Sequence, residues 1–238
     1  MAIGTLTAVP VKPPRTLDRA VAGGAMVLAP IAAIPLAVAA GAVMLLPVPA
    51  LVSAGLAIGV VALGSRGLHL DGLADTADGL SASYHRERAL EIMRRGDSGP
   101  SGVAALALIL IVQCGALAGA AGAGHGSTAA VLAVFTGRAV LSACCARGVP
   151  SARPSGLGAT VAGSVPILLA ALVFLAATTA AAFAPGLPWW RGPLAVAVGY
   201  ACVGLLLLRC VRRLGGITGD VLGACTETAA TATLVMLS

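Results

Sequence analysis

VAALALILIVQCGALAGAAGA, residues 103–123, is an almost wholly apolar run of helical length. A helix needs roughly 20 such residues to cross a bilayer. Runs of the same character lie at 21–40, 42–64, 128–146, 161–183, 194–211 and 218–237. Lipid admits only helices and closed barrels as spanning structures. These runs lack the polar-apolar alternation of barrel strands. The reading is an all-α polytopic membrane protein with about seven transmembrane helices, one integral membrane domain over 1–238. The last run fits least well, because it holds Gly219, Asp220 and Glu227.

The composition agrees. The chain is 58% hydrophobic and only 10% charged, where a soluble domain carries about 25%. Small residues dominate, and they let helices approach closely within a bilayer. A net charge of +6 raises the question of nucleic acid. No basic patch is interleaved with aromatics and no reader motif is present, so a nucleic-acid partner is not expected. The start of the chain lacks a signal-peptide h-region after a basic stretch, so the first apolar run reads as a true span. Six cysteines lie in or beside apolar runs without a CxxC pair and read as buried small hydrophobes.

Seven spans place nearly all the basic residues on one side. Lys12, Arg15, Arg19, Arg66, Arg86, Arg88, Arg94, Arg95, Arg147, Arg153, Arg212 and Arg213 fall there, and Arg191 falls opposite, beside Trp189 and Trp190. Positive charge stays cytoplasmic, so the N-terminus and the 65–102 segment face the cytoplasm and the C-terminus faces out. The Trp pair reads as an interfacial anchor. Within 65–102, Arg86, Glu87, Arg88, Glu91, Arg94 and Arg95 suggest a short charged surface helix, broken by Gly96, Gly99, Pro100 and Gly102.

Of nine acidic residues, five lie between Asp71 and Glu91, and Asp97 follows closely. Asp71, Asp75 and Asp78 are spaced i, i+4, i+7 and share one helix face. Three like charges on one face call for a cation. Hard carboxylate oxygens suit Mg²⁺, Mn²⁺ or Ca²⁺ rather than zinc. His69 is a candidate for an acid-base step or a phosphate contact. Arg138 lies inside an apolar run, where a charge is expensive and marks a functional position. Arg147 and Arg153 follow it and form a candidate cationic wall for an anionic substrate. Arg213 precedes Gly215-Gly216. Asp220 and Glu227 share a face of the final run and read as a ligand, an ion pair with Arg138, or part of a transport path. The residues alone therefore give a membrane protein with a cytoplasmic-face carboxylate site, a divalent cation and a phosphorylated substrate.

The chain resembles the cobalamin synthase family, the adenosylcobinamide-GDP ribazoletransferases. His69-Leu70-Asp71-Gly72-Leu73-Ala74-Asp75-Thr76-Ala77-Asp78-Gly79-Leu80 matches that family's acidic signature. Arg153-Pro154-Ser155-Gly156-Leu157-Gly158 resembles its middle loop, and Arg213-Leu214-Gly215-Gly216-Ile217-Thr218-Gly219-Asp220 its C-terminal motif. The opening Leu6-Thr7-Ala8-Val9-Pro10-Val11 is similar too. One block departs: Arg95, Gly96 and Asp97 stand where the family has Asp, Ser and Arg, while Gly99 and Gly102 keep their places.

The resemblance implies a Mg²⁺-dependent transferase of the bacterial cytoplasmic membrane. It joins adenosylcobinamide-GDP to α-ribazole, or its 5′-phosphate, and releases GMP. It implies Asp71, Asp75 and Asp78 as metal ligands, with Asp75, Asp78, His69 and Asp97 as catalytic candidates. Arg138, Arg147, Arg153, Arg213, Asp220 and Glu227 would bind substrate. A broad cavity for the corrin is expected, and a homo-oligomer is left open. Two other readings compete. A CDP-alcohol phosphatidyltransferase also clusters aspartates, but its Asp-Gly-x-x-Ala-Arg pattern fails here at Asp75. A cation transporter would line a path with Asp71, Glu227 and Arg138.

Overall fold

The computed structural model describes residues 18–238 together with Ala2, Gly4, Thr7, Ala8 and Pro10. Lys12, Arg15 and much of the opening stretch similar to the family lie outside the described residues. Twelve helices follow among those described: α1 (Arg19–Val27), α2 (Ala29–Ala32), α3 (Ile34–Val43), α4 (Ala50–Gly64), α5 (Leu68–Ala82), α6 (Arg86–Ile92), α7 (Pro100–Gly122), α8 (Gly126–Cys144), α9 (Leu157–Val161), α10 (Ile167–Ala182), α11 (Arg191–Leu214) and α12 (Gly219–Leu237). Extended pairing among them is limited to two isolated parallel bridges, Ala146 with Val165 and Ser151 with Ile217. The all-α expectation holds.

The expectation of about seven spans does not. Three helices, α7, α8 and α11, are long and apolar enough to cross a bilayer, and a fourth is reached only by joining α4 to α5 across an 89° bend. At 1.5 Å per residue the 23 residues of α7 extend about 35 Å, enough for a core of roughly 30 Å. Proline shortens the others. The run at 21–40 breaks around Pro30 and Pro35, each in the first turn of a new short helix. Pro47 and Pro49 sit in the irregular stretch before α4, and Pro166 caps the 16-residue α10. A proline ring supplies no N–H and clashes with the preceding turn, so an apolar run on a hydropathy count becomes two helices in space.

The final helix also departs from a lipid-facing span. Most of α12 is buried, and it packs against α5, α7, α8 and α11. Its neighbours approach through glycines. A Cβ added at Gly72 on α5 would lie 2.6 Å from the Asp220 carbonyl oxygen. One at Gly137 on α8 would lie 2.9 Å from the Thr226 carbonyl oxygen, and one at Gly199 on α11 would lie 3.0 Å from Thr233 Oγ1. Both apolar clusters of the interior draw on α8 and α12: Val140, Cys144, Val221 and Cys225 at one end, Ala130, Ala133, Leu234 and Leu237 at the other. The six cysteines are free.

Backbone contact between α5 and α12 leaves no room for a methyl group. Gly72→Ala should destabilise the protein by about 1–3 kcal/mol through overpacking. Gly59→Ala, where an added Cβ meets nothing within 4 Å, should change stability by no more than about 1 kcal/mol. Thermal unfolding of the two variants in detergent checks the contrast.

Candidate active site

The three sequence blocks singled out above converge. Ala152 N donates to the Ile217 carbonyl at 2.9 Å and Ile217 N donates to the Pro150 carbonyl at 2.9 Å, so the middle loop and the C-terminal motif are stitched backbone to backbone. The turn that permits this is glycine-specific: Gly215 caps α11 at φ 79° and Gly216 follows at φ 152°. Gly72 and Gly223 then seat α5 on the first turns of α12; a Cβ at Gly223 would lie 3.0 Å from the His69 carbonyl oxygen.

Between them lies a cavity of about 240 Å³, lined by His69, Asp71, Arg153, Gly219, Asp220 and Gly223 among others. Arg153 Nη1 donates to Asp220 Oδ2 at 3.4 Å, and Thr218 Oγ1 donates to the same oxygen at 3.1 Å. Arg153 Nη2 also donates to the Leu90 carbonyl at 3.1 Å, tying the cavity wall to α6. Asp75 is buried one turn along α5 from Asp71. It lies past the 89° bend, outside the three helices long enough to cross on their own. Burial pushes its carboxyl up to about 6; Asp71, Asp220 and Asp78 push the same way, and Arg153 opposes them. The cavity therefore holds more negative charge than its one arginine offsets.

Asp78 has a different task. Its Oδ2 accepts from Gly99 N at 2.7 Å and its Oδ1 from Gly102 N at 2.8 Å. Both oxygens satisfy orphan N–H groups at the start of α7, where a helix end attracts a carboxylate. A Cβ at Gly99 would sit 2.6 Å from Asp78 Oδ1, which accounts for glycine at 99 and 102 even though the residues between Met93 and Gly99 depart from the family pattern. Asp78 thus has an anchoring task at the start of α7 that its spacing alone did not suggest.

Other candidates also fall elsewhere. Asp97 is exposed, with no hydrogen bond or ion pair among the described residues, and does not join the cavity. Arg213 Nη2 donates to the Ser83 carbonyl at 2.7 Å and its guanidinium lies 4.2 Å from the Tyr84 ring centroid, so it caps the end of α5. Arg147 opens onto a separate cavity with Arg19. Arg138 and Glu227 are both buried and, with Gln113, line another cavity inside the bundle. Arg138 Nη2 meets His69 Nδ1 at 3.4 Å, and Glu227 Oε2 accepts from Gln113 Nε2 at 2.8 Å. Gln113 also donates to Thr231 Oγ1 at 3.0 Å. Sequence reading missed Gln113, though its isolation in the 103–123 run was the signal. It also missed Thr218, which joins Asp220, and Arg86, which donates to the Ala152 carbonyl at 3.0 Å.

The donor set suits a hard divalent cation in part. Asp71, Asp75 and Asp220 offer carboxylate oxygens in one charged neighbourhood. Among the described residues no group of three or more His, Cys, Asp or Glu forms a self-sufficient metal site. Mg²⁺ commonly takes one or two carboxylates and completes its shell with water and substrate phosphates, so an open set of this kind fits it.

A helical protein with a carboxylate-lined cavity beside an arginine has the groups to hold a cation and a phosphate ester together. Over residues 1–238 the chain matches the cobalamin-5-phosphate synthase family, and it belongs to that family. It is 44% identical to an adenosylcobinamide-GDP ribazoletransferase of a Nocardioides species, over 98% of this chain and 95% of that protein. It is 40% identical to one of Frankia casuarinae, over 98% and 91%. A Pseudomonas syringae protein of the same description is 39% identical over 68% of this chain. No solved structure matches the chain. The family match decides against the CDP-alcohol phosphotransferase and transporter readings.

Two outcomes follow. Asp78→Ala strands two backbone N–H groups and should cost about 1–3 kcal/mol in thermal stability, whereas Asp71→Ala, exposed on the cavity side, should cost little. The Asp75 carboxyl, raised when folded, makes its ionisation unfavourable to folding. Its contribution is full below its ordinary value near 4 and is lost as pH rises through about 6. Metal-free protein should lose melting temperature over pH 4–7, and Asp75→Asn should flatten that slope.

Proposed function

We propose that this chain joins adenosylcobinamide-GDP to α-ribazole, or to α-ribazole 5′-phosphate, giving adenosylcobalamin or its 5′-phosphate and releasing GMP. The observation that carries the reading is the convergence of Asp71, Asp220 and Arg153 on one cavity, built from three separate stretches of a chain in this family. The chain works as one membrane unit, multi-pass in the bacterial cytoplasmic membrane, with the N-terminus and the 65–102 segment at the cytoplasmic face. Arg19, Arg86, Arg153 and Arg213 each donate to a backbone carbonyl toward one end of the bundle, while Arg191 binds the Ser238 carbonyl at the other, the asymmetry expected of positive charge retained inside.

In the transfer, the ribose hydroxyl of α-ribazole attacks the phosphorus nearer the cobinamide. The bond from that phosphorus to the bridging oxygen breaks, and GMP leaves with the oxygen. Asp71 and Asp220 would hold Mg²⁺ together with diphosphate oxygens, and the cation supplies charge neutralisation at the bridge when bound. Asp75, with its carboxyl raised to about 6, is suited to take the hydroxyl proton near neutral pH. Arg153 is held on Asp220 and the Leu90 carbonyl, which aims its guanidinium along the wall where phosphoryl oxygens would lie. A cavity of about 240 Å³ accommodates a diphosphate and a ribose edge, not a corrin. On this reading the corrin would lie across the mouth of the cavity, in place of the broad cavity expected from sequence.

GMP release from purified, detergent-solubilised protein, given both substrates and Mg²⁺, tests the reading. Asp71→Ala and Asp75→Asn should each lower turnover by about 10²–10⁴-fold with the melting temperature at a fixed neutral pH not reduced. Release that ignores α-ribazole, or full turnover by Asp75→Asn, would overturn it.

A further inference from the structure

Two cavities outside the carboxylate site share a pair of arginines. One, of about 550 Å³, is lined by Arg19, Arg147, Gly148, Ser151 and Gly163. The other, of about 510 Å³, shares Arg19, Arg147 and Gly163 and runs down α1 past Gly24 and Val27 to Leu28 and Leu169. Arg147 is fixed at its backbone, its N–H donating to the Val165 carbonyl at 2.8 Å, and its exposed side chain has no bonded partner among the described residues. Among the described residues Arg19 donates only to the Ala162 carbonyl, at 3.4 Å. Ion pairs among the described residues are Arg88 with Glu91, Arg95 with Glu91, and Arg153 with Asp220, so neither guanidinium here faces a carboxylate. The nearby Asp18 carboxylate is engaged as the N-cap of α1, accepting from Val21 N at 2.8 Å.

The polarity is graded along this groove. Two cations stand at its head. From Arg19 to Leu28 the helix advances about 13 Å, and the lower wall is apolar and open: Leu28 is 52% and Leu169 41% exposed. Glycine keeps the floor clear. Gly23 packs against the Ser164 carbonyl, where a Cβ would lie 2.6 Å away, but a Cβ at Gly24 meets nothing within 4 Å. A soluble anion would use the cationic head and leave the apolar trough empty. A phosphate with a hydrocarbon chain attached fills both parts. Basic pockets beside membrane helices on the cytoplasmic side are matched to anionic headgroups, and an arginine pair forks onto phosphate oxygens.

We propose that the groove between α1 and the 147–169 segment is a binding site for one anionic glycerophospholipid. Arg19 and Arg147 take the headgroup phosphate, and an acyl chain lies over Gly24 along Val27, Leu28 and Leu169. This assigns Arg147 to lipid rather than to the transfer reaction. The site rests on the membrane reading and not on the transferase reading.

The test is native mass spectrometry of the full-length protein in neutral detergent, titrated with phosphatidylglycerol. One lipid should bind with saturation, and an equal concentration of phosphatidylcholine should not displace it. Arg19→Ala with Arg147→Ala should weaken binding by roughly thirtyfold, since each basic residue near the surface contributes about one factor of five. Both side chains are exposed, so the fold survives their loss. Gly24→Leu should weaken binding about tenfold while leaving both arginines in place, because it fills the trough. Inorganic phosphate and GMP should compete poorly. Binding unaffected by the arginine pair overturns the site. Equal affinity for inorganic phosphate, with Gly24→Leu silent, overturns the lipid assignment in favour of a soluble anion. GMP release is a separate readout, so failure here is distinguishable from failure of the transferase reading.

Discussion

The contact on which the rest depends is backbone against backbone, where α5 crosses the start of α12. Gly72 faces Asp220 and Gly223 faces His69 with no side chain between. In a bilayer there is little hydrophobic gain from bringing two apolar helices together, so close van der Waals packing and polar contacts must hold them. Glycine supplies the packing at 72, 137 and 199. The same closeness brings carboxylates from two distant stretches into one electrostatic neighbourhood. Packing and chemistry are set by one set of small residues.

That neighbourhood is strained by design of its charges. Asp71, Asp75 and Asp220 repel one another, and Arg153 relieves only part of it. Asp78 escapes the conflict by giving both oxygens to backbone N–H groups of α7. A carboxylate so used is a rigid anchor: it fixes α5 along its length, and so fixes where Asp71 and Asp75 point. Deeper in the bundle, Arg138, Glu227, Gln113 and Thr231 form a second polar group. Buried charge of this kind is costly unless its polar atoms find partners; Gln113 ties Glu227 of α12 to α7, and His69 ties Arg138 of α8 to α5. Arg138 thus meets His69 of the cavity wall from the side of the bundle interior.

The narrow cavity also divides the labour of recognition. On the proposed function a diphosphate and a ribose edge would meet charged, well-anchored groups, and the corrin would rest on the outer surface. Enzymes that spend their precise contacts at the reacting atoms can leave the bulk of a large substrate loosely held.

The sequence by itself determined the membrane class, the all-α fold, the family and most of the residues at the cavity. Those follow from hydropathy, from i, i+4 spacing and from three motif blocks, all local properties. It could not determine how many helices are long enough to cross, because Pro30, Pro35, Pro47 and Pro166 divide runs that a hydropathy window joins. Nor could it divide the aspartates into roles. Asp71, Asp75 and Asp78 have the same face and the same chemistry on paper. Only the tertiary structure, by setting Gly99 and Gly102 against one of them and Asp220 near the other two, made Asp78 a helix cap, put Asp71 on the cavity wall and buried Asp75 one turn away. Spacing along a helix fixes which side chains share a face, but the partner across that face, supplied by residues far away in the chain, decides what each one does.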